Sequence, residues 1–170
     1  TTISPSAFNH SEINNLYRVV LRIPPGKVRE IVAVPRKTLV ADLHKILQDA
    51  VERYQYCLNE DYDETQNCFP LHAICLLGEL SSENSLPFIL DFLENEEAVL
   101  EFWLGDHRTA TIWLPLYLIS QNNTALLKAF LLKPGIATYS KTVVTATLAR
   151  IALHQPERRN EIAAIFSGVL

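Results

Sequence analysis

The feature that most constrains this chain is the block from Phe69 to Leu170, in which an apolar helix, a polar hinge and a second apolar helix recur three times. The units are Leu71–Leu93, Ile112–Leu132 and Val143–Phe166. Their hinges are Ser81-Ser82-Glu83-Asn84, Gln121-Asn122-Asn123-Thr124 and His154-Gln155-Pro156-Glu157. The spacing, roughly 33–40 residues, is that of two-helix solenoid repeats. A helix with an apolar stripe has to bury it, and a neighbouring pair of the same kind is the nearest cover. No strand pattern competes, because the β-branched run Thr142–Thr147 lies inside a helical period. The chain reads as all-α, a superhelix of stacked helix pairs. Such a stack is a shape for holding something rather than a chemistry, so function has to come from particular side chains.

Helical signals continue towards the N-terminus. His10–Arg22 predicts a first helix, with Ser11 placed to cap it and Ile13, Leu16, Tyr17, Val20 and Leu21 on one face. Pro24-Pro25-Gly26 ends it, and Lys27–Val34 forms a turn or two of helix before Pro35. Thr38–Leu58 is the clearest long helix, with Leu39, Leu43, Ile46, Leu47, Ala50, Val51 and Tyr54 at helical spacing. The acidic stretch 59–67 reads as an exposed loop; it lacks the central Gly and distal Glu that a calcium loop needs. Within the repeat block, Ala98–Leu104 closes on Gly105, and Thr109 or Thr111 starts the next helix with Pro115 near its beginning. One domain is expected over residues 1–170, with N-terminal helices to 58, the loop 59–67 and paired helices over 68–170. The start at Thr1, the lack of Met and the apolar end at Ile165, Phe166, Val169 and Leu170 together predict a fragment of a longer chain.

Charge narrows the partners. A net charge of −4 gives no basic stripe for a phosphate backbone, which argues against nucleic acid. Lys27, Arg29, Arg36 and Lys37 cluster, but Glu30 and Asp42 lie among or beside them, as on a mixed solvated face. Three unevenly spaced cysteines are no disulfide framework and predict a reducing, cytoplasmic compartment. The longest apolar stretch, Ala110–Ile119, is about half of the ~20 residues a membrane span needs, so no membrane is expected.

Two constellations carry chemically useful side chains. Cys68, His72 and Cys75 fall at i, i+4 and i+7, near one helical face, but zinc favours four ligands and the only further cysteine, Cys57, is distant. The simpler reading makes the cysteines small apolar groups and gives His72 one hydrogen bond. No metal or cofactor is assigned. The turn Trp103-Leu104-Gly105-Asp106-His107-Arg108-Thr109 concentrates polar and aromatic groups. Asp106 there is either a general base or, more simply, an N-cap for the following helix assisted by Thr109. An alternative gathers Asp106 with Trp103, Trp113 and Arg108 into a base-stacking pocket like that of some helical-repeat DNA glycosylases, against which the acidic charge stands. Phosphate loops and nucleophile motifs are missing, so no enzyme and no catalytic residue are expected.

The order of signals resembles an uncharacterised bacterial family of HEAT-like helical proteins, domain of unknown function 1186. The resemblance is carried by Pro24-Pro25 and Val34-Pro35 before a helix, by His72-Ala73-Ile74-Cys75-Leu76-Leu77 within Leu71–Leu80, by Gly105-Asp106…Thr109 leading into Leu114-Pro115, and by Leu127-Lys128-Ala129-Phe130. It spans roughly Ile23 to Leu170. His107-Arg108 and the tryptophans at 103 and 113 depart from the family pattern. The resemblance implies an α-α superhelix of HEAT-like pairs and no established activity. The reading that follows is a protein-interaction or scaffold module binding a protein or peptide on its concave face, around His72, Trp103, Asp106, His107 and Arg108.

Overall fold

The computed structural model describes residues 7–19, 21–59 and 68–169. Within these residues every regular element is helical and there is no strand. The expected acidic loop therefore lies, except for Asn59, outside the described residues, as do Val20 and Leu170.

The first element is a 3₁₀ helix over Ser11–Arg18, shorter and tighter than the expected α-helix over His10–Arg22. Three residues per turn aligns Ile13 with Leu16, and both are fully buried. Ser11 does not cap it: its hydroxyl contacts Glu12, while Asp42 from a distant helix accepts the backbone N–H groups of Asn9 (2.9 Å) and His10 (3.0 Å) and the Asn9 side-chain amide (2.7 Å). Helix α1 spans Pro25–Val32, with proline at its first position where no N–H is needed. Helix α2, Arg36–Cys57, is the longest. Its stripe holds Leu39, Leu43, Ile46 and Ala50, and two buried aspartates with them, Asp42 and Asp49. Asp49 accepts the Tyr17 hydroxyl (2.7 Å) and the Arg53 guanidinium (2.5 Å). Both acids thus tie the N-terminal segment to α2, since a buried carboxylate is tolerated only when donors surround it.

The repeat block contains α3 (Phe69–Glu79), α4 (Leu86–Leu93), α5 (Glu97–Leu104), the one-turn α6 (His107–Ala110), α7 (Trp113–Ser120), α8 (Thr124–Leu132), α9 (Thr138–His154) and α10 (Arg159–Val169). The helix expected to start at Thr109 or Thr111 is two: α6, then α7 after a break, with Pro115 in the first turn of α7. Helix α3 packs between α2 and α7, and α7 packs on α9, so the leading helices of the three units lie in sequence. Helices α8 and α10 pack on each other and on α9, whereas α4 leans on α2. The closest approach in the spine is at Gly78 of α3, where an added Cβ would fall 2.5 Å from the Cβ of Pro115 in α7. At the end of the chain Ile162 and Ile165 are buried and Phe166 and Val169 half-buried. No helix among the described residues is long and apolar enough to cross a membrane.

Candidate functional site

The sequence-predicted residues surround the junction between the N-terminus of α3 and the α5–α6 turn. Gly105 ends α5 with φ +47, a left-handed value that suits glycine, and its N–H returns to the Glu101 carbonyl at 2.9 Å. That turn sets Trp103, Asp106 and His107 along a cleft of about 280 Å³, whose other wall is Leu21, Cys68 and Leu71. Trp103 is buried and forms edge contacts with Phe69 (4.9 Å) and Phe102 (4.7 Å); Phe69 in turn stacks on Tyr17 at 4.3 Å. Its indole is a core anchor joining the N-terminal helix to α5.

Asp106 is exposed and makes no side-chain cap bond, so its position before α6 is not used as an N-cap. The Thr109 hydroxyl bonds the Asp106 carbonyl (3.4 Å), and His107 Nδ1 meets the Thr111 hydroxyl at 3.1 Å. His72 is buried beneath. Its Nε2 donates to the Leu21 carbonyl (3.1 Å), and its Nδ1 has no hydrogen-bond partner among the described residues. Burial lowers the His72 pKa; the Leu21 hydrogen bond partly opposes this, and the nearby His107 adds a smaller lowering.

Arg108 turns away from this cleft. It is fully buried, pairs through both terminal nitrogens with Glu97, lies 3.6 Å from Glu101, and stacks over Tyr139 at 5.1 Å. The residue expected at a binding surface instead fastens α5, α6 and α9. Trp113 sits elsewhere again, its N–H on the Ala110 carbonyl (3.2 Å) and its ring under Arg150 at 4.0 Å. Of Asp106, Trp103, Trp113 and Arg108, only the first two share a cleft. Burial raises the Cys68 thiol pKa, and burial with the Glu79 carboxylate pushes that of Cys75 up to about 11. Among the described residues no group of three His, Cys, Asp or Glu side chains is placed to hold a metal ion.

A second depression, not anticipated from the sequence, lies between α2 and α4. It measures about 350 Å³ and is lined by His44, Leu47, Val51, Phe88 and Phe92, with Gln48, Glu52, Asp91 and Asn95 around them. The His44 ring stacks on Phe88 at 3.7 Å, nearly parallel, and its Nε2 meets the buried Ser85 hydroxyl at 2.7 Å. Burial lowers the His44 pKa. The Ser85 hydroxyl donates its hydrogen bond to Ser82 (2.7 Å), which leaves its oxygen to accept from His44 Nε2–H, and the ring is held fixed. Val51 and Phe88 keep 37% and 38% of their surface exposed, which makes the groove an apolar face without a described cover. The signal was in the sequence: apolar side chains around α4 cover a wider arc than one neighbour can bury.

No family model, curated protein or solved structure matches the chain.

Proposed function

We propose that this chain is a protein-binding module and that the α2–α4 groove is its recognition face. The observation that carries the reading is the pairing of exposed Phe88 and Val51 with a ring, His44, already locked by hydrogen bonding and stacking. Pre-fixed apolar groups lose little entropy when a partner side chain enters, which is how small grooves reach useful affinity. The packing of α3 on α7 and α7 on α9 supports arranging the units as an α-α superhelix of HEAT-like pairs. The resemblance to the uncharacterised HEAT-like family belongs to the same proposal and rests on the His72–Leu77 pattern and the Gly105-Asp106 turn. The expected surface at 103–109 retains Asp106 and His107, while Trp103 and Arg108 serve the interior.

The test is affinity capture from native extract with the parent chain, Phe88→Glu and Asp106→Ala, each checked for folding by circular dichroism. Loss of a retained partner in Phe88→Glu alone supports the groove. Loss in Asp106→Ala alone moves recognition to the α5–α6 cleft. A partner held equally by all three removes both surfaces.

A further inference from the structure

We infer that the partner segment seated in the α2–α4 groove presents a bulky apolar side chain flanked by lysine or arginine. This inference rests on the groove being a binding face and adds the chemistry of what enters it. The floor is apolar, made by Leu47, Val51, Phe88 and Phe92, whereas the charged groups at the edge are both acidic, Glu52 on α2 and Asp91 on α4. No lysine or arginine lines the groove. Neither carboxylate has an ion pair among the described residues. The nearby bases are committed elsewhere: Arg53, adjacent to Glu52 in sequence, turns to Asp49, and Lys133 pairs with Glu94. Two unneutralised carboxylates bracketing an apolar slot select positive charge on either side of an apolar anchor, and repel an acidic segment. Gln48 adds an exposed amide able to bond a partner's backbone.

The same chemistry disfavours an anionic lipid surface. One further occupant is a second copy of the chain, because exposed Leu153 on α9 is flanked in sequence by Arg150 and Arg159. A contact of that kind would be head-to-tail, building a ring or an open filament of copies; a different chain is taken as the partner, and self-association is an outcome of the test.

The experiment is selection from a displayed random-peptide library on the immobilised chain, repeated with Phe88→Glu and with the charge-reversed Glu52→Lys/Asp91→Lys protein. Peptides enriched on the parent should carry an aromatic or aliphatic anchor between basic residues and should be lost on Phe88→Glu. Charge reversal should weaken a selected basic peptide on the order of tenfold at low salt, less at high salt, and shift enrichment to acidic flanks. Enrichment that depends on Phe88 but shows no basic preference overturns the charge inference and leaves the groove standing. Failure to enrich any Phe88-dependent peptide overturns both. Concentration-dependent self-association abolished by Phe88→Glu, measured by analytical ultracentrifugation, would replace the foreign partner with a second copy.

Discussion

Replacing Gly78 by alanine should destabilise the protein, although the same change in an exposed helix is favourable. In an open helix interior, Gly→Ala gains roughly 1 kcal/mol from backbone entropy and helix propensity. At Gly78 the new Cβ would lie 2.5 Å from the Cβ and 2.6 Å from the Cα of Pro115. Ordinary carbon contacts are about 3.5–4.0 Å, so α3 and α7 must part by about 1 Å. The obstructing atoms belong to a ring and a backbone and have no rotamer to escape into. Overpacking of this kind costs about 1–3 kcal/mol and here acts on the central crossing of the spine, so a net loss of about 1–2 kcal/mol is expected. Urea unfolding followed by circular dichroism measures it. Gly26→Ala supplies the control, because a Cβ there meets nothing within 4 Å and should leave stability unchanged or raised. Were Gly78→Ala as stable as the parent, the close approach of α3 to α7 would be refuted, and with it the stacking argument.

Asp42→Ala removes the acceptor of three hydrogen bonds to Asn9 and His10 and should cost about 2–3 kcal/mol, with early loss of protection at residues 9–18 in hydrogen exchange. Equal protection in both proteins would show that the N-terminal segment is held otherwise. Because burial depresses the His72 pKa in the folded state, the unfolded chain takes up the proton first as pH falls below about 6.5. Stability from this group is complete above that pH and is lost as pH drops towards the folded value, so the urea midpoint of His72→Gln should fall less than the parent's between pH 7.5 and 5; parallel curves would contradict it. Cys75, with its pKa near 11, should be alkylated at neutral pH far more slowly than a free thiol, by mass spectrometry of iodoacetamide-treated protein. Modification at the rate of an unfolded control would contradict its burial.

Periodicity made the helices legible, since a stripe such as Leu39, Leu43, Ile46 and Ala50 on α2 is visible without any partner. It did not show which acids join the stripe. Asp42 and Asp49 sit seven residues apart on the buried face, and a carboxylate among apolar residues betrays its role only once Asn9, His10, Tyr17 and Arg53 are brought to it. Arg108 was misplaced for the same reason: its partner Glu97 lies eleven residues back at the start of α5, and pairing with stacking on Tyr139 makes burial tolerable. Val51 fits the apolar period of α2 yet remains partly exposed, because the period defines a face and not what covers it. The wide apolar arc of α4 signalled an open face but not that α2 would form its other wall, whereas the clustering of Trp103, Asp106 and His107 followed from their nearness in sequence.

The most direct test of the groove as a recognition face is site-specific photocrosslinking in the native extract. A benzophenone side chain would be placed at position 88 in the groove, at 106 in the α5–α6 cleft and at 132, an exposed apolar site on α8. A discrete adduct from position 88, competed by excess unmodified chain and weaker or missing from 106 and 132, is the predicted result. Adducts from 106 without any from 88, or equal labelling from all three, would contradict it.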